Sequence, residues 1–122
     1  MKIRTYYCGE RPSEFQRNDF NSVIRLDIKE EGLTEDNIPN FSALEFTISE
    51  PISQNAFIKD VLDEVYGIDY ENKLINEYNS AILGLYSDEE KEVKIKSYND
   101  FLSNRISLKS DIERICVENG VK

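Results

Sequence analysis

The sequence contains no histidine and no tryptophan. Without histidine the commonest general base is gone, and with it the Ser-His-Asp and Cys-His nucleophile arrangements and most zinc sites. Cysteine is nearly absent too: Cys8 and Cys116 lie near opposite ends and form no CxxC pair, so neither a zinc knuckle nor a thioredoxin-type redox site is readable. Two reduced, partly buried thiols in a reducing compartment are expected. Long apolar runs are missing, which leaves nothing to span a membrane. Met1-Lys2-Ile3-Arg4-Thr5 runs straight into a polar strand pattern, so no signal peptide is expected. Intracellular synthesis is expected, and the Asn40-Phe41-Ser42 sequon is read as chance.

Positive charge is also in short supply. Fifteen basic residues face 24 acidic ones, a formal net charge of −9. Such a chain is repelled by phosphate backbones, so direct binding to nucleic acid or an anionic membrane is disfavoured. The imbalance is local. Residues 51–90 carry two basic and nine acidic groups, residues 91–122 seven basic and five acidic. Two segments of opposite sign are expected to face each other.

What is present is one ordinary domain's worth of chain, 122 residues with 39% hydrophobic and 32% charged. That suffices for a core without metal or disulfide support. Residues 1–50 read as sheet. Ile3–Cys8 is rich in aromatic and β-branched types. Val23–Lys29 alternates, with Ile24, Leu26 and Ile28 on one face and Arg25, Asp27 and Lys29 on the other, and Leu44–Ser49 repeats the pattern. The links between them carry turn residues and are too short for parallel crossovers, so an antiparallel sheet of about three strands is expected.

Pro51 marks a change to helix. Ser53 is a plausible N-cap for a helix to about Tyr66, stopped by Gly67. Asp69 is expected to cap a second helix bearing Leu74, Ile75, Tyr78, Ala81, Ile82 and Leu85 on its apolar side, with Gly84 near its end. Ser87-Asp88-Glu89-Glu90 then has capping-box spacing and an acidic first turn. The last helix, residues 88–119, carries Tyr98, Phe101, Leu102, Arg105, Leu108, Ile112, Ile115 and Cys116 on one stripe in steps near three and four. Glu90–Lys94 and Glu92–Lys96 are spaced to pair along it. Some 30 residues make a rod of roughly 45 Å, against a radius of gyration of about 14 Å for a chain of this size. Such a rod must kink or protrude, and protrusion is expected to leave part of the stripe for a partner.

Arg105 interrupts that stripe. An intramolecular pair with Glu77, Asp63 or Glu64 is expected, against a role as an anchor for a partner carboxylate. The acidic clusters Asp60/Asp63/Glu64 and Asp88/Glu89/Glu90 lack EF-hand spacing and fit solvated helix faces better than cation sites or acid–base pairs. Phe15 and Phe20 sit in a charged stretch, Arg11–Phe20, expected to be an exposed contact loop.

Residues 52–120 resemble small proteins encoded among the tail and tail-fibre genes of phages and prophages of gut bacteria. The resemblance is carried by an apolar helix closing on Tyr66-Gly67, the helix around Lys73-Leu74-Ile75-Asn76-Glu77-Tyr78-Asn79, the break Gly84-Leu85-Tyr86, and a final helix with Phe101, Arg105 and Lys109 at intervals. It implies a virion component or assembly factor rather than an enzyme, made in the host cytoplasm and destined for a virion or its assembly.

The expectation is thus an α+β protein: a β-rich part over 1–50 and a helical hairpin or three-helix unit over 51–122, forming one folded unit with a long last helix. Its expected work is non-enzymatic binding to other protein subunits, phage structural proteins or further copies of itself, without cofactor or metal. Tyr98, Phe101, Arg105, Leu108 and Ile112 on the stripe, with Phe15 and Phe20, are the expected protein-binding residues, and Phe101→Asp is expected to abolish assembly. The alternative is an acidic inhibitor that mimics nucleic acid to occupy a host defence protein, which requires its acids ranged on one exposed face.

Overall fold

The computed structural model describes residues 3–122 and is α+β: a four-stranded antiparallel sheet followed by three helices. The strands are β1 (Thr5–Cys8), β2 (Phe15–Arg17), β3 (Asn21–Leu33) and β4 (Pro39–Ser49), in the order β1-β4-β3-β2. The helices are α1 (Gln54–Val65), α2 (Ile68–Ile82) and α3 (Asp88–Glu118). The extra strand is β2, in the stretch expected to be an exposed loop. Three residues between turn-forming neighbours carry little propensity of their own, and pairing with β3 makes the strand: Phe15 lies opposite Ile24 and Arg17 opposite Ser22.

Alternation in β3 and β4 sets the faces. Ile24, Leu26, Phe46 and Ile48 point to the helices, and Phe15 and Leu44 join them at the margin. Beyond Leu26 the register shifts, and Asp27 takes the left-handed conformation (φ 52°). Arg4 braces this bulge: its Nη1 donates to Asp27 Oδ2 at 2.9 Å and its Nε to Ser42 Oγ at 2.8 Å. On the far side of the sheet Arg25 is buried in a polar knot. Its Nε donates to Tyr7 Oη (3.0 Å) and Glu45 Oε1 (3.2 Å), Nη1 to the Ser13 carbonyl (3.1 Å) and Nη2 to Gln16 Oε1 (2.9 Å).

α1 starts where Ser53 Oγ accepts from the Ala56 N–H at 3.1 Å and lays Phe57 and Val61 on the sheet. α3 is a single rod of 31 residues, about 46 Å long, capped by Ser87 as its spacing suggests. Its last three turns put Ile112, Ile115 and Cys116 into the same core, each fully enclosed. Burying such a side chain is worth about 1.5–3 kcal/mol. Gly120 (φ +73°) then reverses the chain and returns Val121 to the core, with the Gln54 N–H donating to the Lys122 carbonyl at 3.1 Å. The sheet, α1 and the end of α3 therefore share one core. Among the described residues no helix is long and apolar enough to cross a membrane.

α2 begins at Ile68 with Gly67 in the cap position, so Asp69 lies in the first turn and does not cap it. It runs back antiparallel along the first half of α3: Tyr78 stacks on Tyr98 (4.5 Å), Glu77 pairs with Lys94 (3.3 Å) and Glu71 with Arg105 (3.4 Å). The acidic middle and the basic tail do face each other. The residues from Asp88 to Asp100, about 20 Å of helix, precede the first core residue of α3, Phe101, and stand off from the sheet as one arm of this hairpin.

Candidate interaction surface

The stripe of α3 is covered from within. Phe101 is buried, its ring set edge-on to Tyr66 (5.0 Å between centroids) and close to Tyr70 (6.1 Å) and Tyr98 (6.3 Å). Burial, and then the neighbouring Tyr70, push the Tyr66 hydroxyl above its ordinary pKa. Tyr98 is half-buried against Tyr78, Leu108 packs on the core and Ile112 is fully enclosed. Arg105 forms an intramolecular pair of the kind expected, with Glu71 rather than Glu77, Asp63 or Glu64. Phe15 sets its ring edge-on to Phe57 at 6.1 Å. The protruding helix leaves no bare stripe because it does not protrude alone. Of the seven residues expected to bind protein, only Phe20, 83% exposed just before β3, stands free.

Exposed apolar side chains gather elsewhere, at the tip of the hairpin. Leu83 is 75% exposed, Leu85 73%, Val93 62% and Ile82 54%. Ile82 and Leu85 were expected on the apolar side of α2, but that side is filled by Leu74 and Ala81.

The backbone explains how they come to face solvent. α2 ends with the Gly84 N–H donating to the Ala81 carbonyl (3.1 Å) and the Leu85 N–H to the Ser80 carbonyl (3.1 Å), Gly84 having φ +78°. This is the six-to-one, five-to-two closure of a Schellman motif, which ordinarily carries an apolar contact for the residue after the glycine. α3 ends the same way, its Val121 N–H donating to the Cys116 carbonyl (2.8 Å) and the Gly120 N–H to the Val117 carbonyl (3.3 Å). There the residue after the glycine, Val121, is buried in the core. At the tip its counterpart, Leu85, has no such cover. Beside it is a shallow open cleft of about 550 Å³ lined by Tyr86, Glu89, Glu90, Val93 and Lys94. The Lys94 ammonium sits 5.8 Å from the centre of the Tyr86 ring and 3.3 Å from Glu77, which fixes the cleft's floor.

No family model matches this chain, and neither does any curated protein or solved structure. The functional reading therefore rests on the geometry of the hairpin.

A second concavity, about 640 Å³, lies beside β1 and is lined by Tyr7, Cys8, Glu10, Arg11, Gln16 and Arg25 among others. The buried Arg25 there spends its donors on Tyr7, Glu45, Ser13 and Gln16, so the arrangement is a brace for the sheet rather than an open recognition fork. Among the described residues no group of three or more Cys, Asp or Glu side chains is placed to hold a metal ion.

The tip left a trace in the sequence. A turn normally carries polar residues, yet Ile82-Leu83-Gly84-Leu85-Tyr86 is apolar around its glycine.

Proposed function

We propose that this protein is a non-enzymatic interaction module that docks on other protein subunits through the tip of the α2–α3 hairpin. The observation that carries the reading is the pair of exposed leucines flanking Gly84, held out on a ribbed arm while the rest of the α3 stripe is covered internally. Contiguous apolar surface on a scaffold of this kind marks a contact site. The resemblance of residues 52–120 to phage tail-region proteins supports a structural accessory or assembly factor as the setting. Mimicry of nucleic acid is less well supported, because Glu71 and Glu77 of the acidic middle are tied to Arg105 and Lys94, and the acids at the tip, unpaired among the described residues, border exposed leucines, which a phosphate-like surface does not need.

The test is co-purification with the products of the neighbouring genes, followed by size exclusion with light scattering. The native chain is expected to enter a defined complex, and Leu83→Ser/Leu85→Ser to remain folded and stay out of it. Full incorporation of that variant would overturn the proposal.

A further inference from the structure

The tip is apolar at its centre and acidic at its margin. Asp88, Glu89, Glu90 and Glu92 are all exposed, and none forms an ion pair among the described residues. The dipole of α3 accounts for acids in the first turn, but Glu92 lies beyond it. Lys94 is already engaged by Glu77, which leaves Lys91 as the nearest counter-charge in sequence. Any partner that covers Leu83, Leu85 and Val93 must therefore also meet a negative rim.

A second copy is a poor occupant. In a two-fold pairing of tips the acids of one would face the acids of the other. A small convex knob with a charged collar fits a concavity instead.

We propose that the hairpin tip inserts Leu83 and Leu85 into an apolar socket of a different protein whose rim carries lysine and arginine. This rests on the tip being the docking element, and it adds the chemistry of the partner. The collar selects the socket and speeds encounter, and the leucines hold the complex once formed.

The probes are two synthetic helical-hairpin peptides that present the same leucine-lined groove, one rimmed with lysine and one with glutamate. Each is titrated into the full-length, ¹⁵N-labelled protein. The lysine peptide is expected to move the amide signals of residues 82–93 and to bind roughly tenfold more tightly than the glutamate peptide, with that margin shrinking as salt is raised. Leu83→Ser/Leu85→Ser is expected to abolish the shifts. Equal movement of the tip by both peptides would overturn the charge selection while leaving the docking reading intact. Silence at the tip with both peptides, or binding only elsewhere on the chain, would overturn both. Tip signals that shift on dilution of the peptide-free protein would make a second copy the occupant and overturn the proposal.

Discussion

Replacing Phe101 tests where the strength of the hairpin lies. The side chain is 6% exposed and is ringed by Tyr66, Tyr70 and Tyr98 at 5.0, 6.1 and 6.3 Å. It joins α3 to both α2 and the end of α1. Phe→Ala at a buried site costs about 3–5 kcal/mol, the sum of lost transfer energy and the cavity left behind. Edge-on ring pairs supply about 0.5–1.5 kcal/mol of this, chiefly through Tyr66. Phe101→Leu keeps most of the volume and loses the ring, so about 1–2 kcal/mol is expected. Phe101→Asp, read from the sequence as a way to block assembly, would instead bury an unpaired carboxylate among three rings and unfold the hairpin. Urea unfolding followed by far-ultraviolet circular dichroism and tyrosine emission gives the numbers. The exposed variant Leu83→Ser/Leu85→Ser is the control, expected to lie within about 0.5 kcal/mol per site. A loss below about 1 kcal/mol for Phe101→Ala, or a double-serine variant as unstable as it, would refute the assignment of Phe101 to structure and the tip to binding.

Arg25→Ala is expected to cost about 2–3 kcal/mol in the same assay, since it leaves Glu45 and the Tyr7 hydroxyl without their donor, and Arg25→Lys to recover only part of it because an ammonium cannot reproduce the fork. The hydrogen bond from Arg114 holds the Glu14 carboxyl below its ordinary pKa of 4.5. With a folded-state pKa depressed in this way, the pair's stabilisation is present above the unfolded value and lost as pH falls through the folded one. The urea midpoints of the native protein and Arg114→Gln are therefore expected to differ at neutral pH and to converge as the pH falls through the depressed value of the folded carboxyl; a gap unchanged at low pH would exclude the pair as its source. Cys8 is exposed, whereas Cys116 is enclosed with its pKa raised by burial. Ellman's reagent is expected to titrate one thiol at once and the second only on unfolding, and two fast thiols would contradict the placement of α3 against the sheet.

Much of this fold is legible in short stretches of chain. The alternation of Ile24, Leu26, Phe46 and Ile48 marks the inner face of the sheet, and Ser53, Gly67 and Ser87 mark helix ends, because each acts on neighbours a few residues away. What failed was non-local. β2 exists through its pairing with β3, and Lys94 and Lys96 turn to Glu77 and Asp100 instead of Glu90 and Glu92; for Lys94, α2 offers a better-placed partner. The length of α3 was read correctly, but its bareness was inferred as if the helix stood alone. Once α2 lies along it, Tyr98, Phe101 and Arg105 become inward-facing, and the surface left for a partner moves to the turn at Gly84, where periodicity alone places Ile82 and Leu85 on the apolar side of α2.

α3 belongs to two environments without interruption, its first half in the arm and its second half in the core. A load applied at the tip is consequently delivered to the sheet along one unbroken column of backbone hydrogen bonds, with no hinge to absorb it. Tilting the arm means straining the seats of Ile112 and Ile115. The molecule is in this sense a lever with a fixed fulcrum, and a partner that grips its end acquires a stiff handle on the whole body.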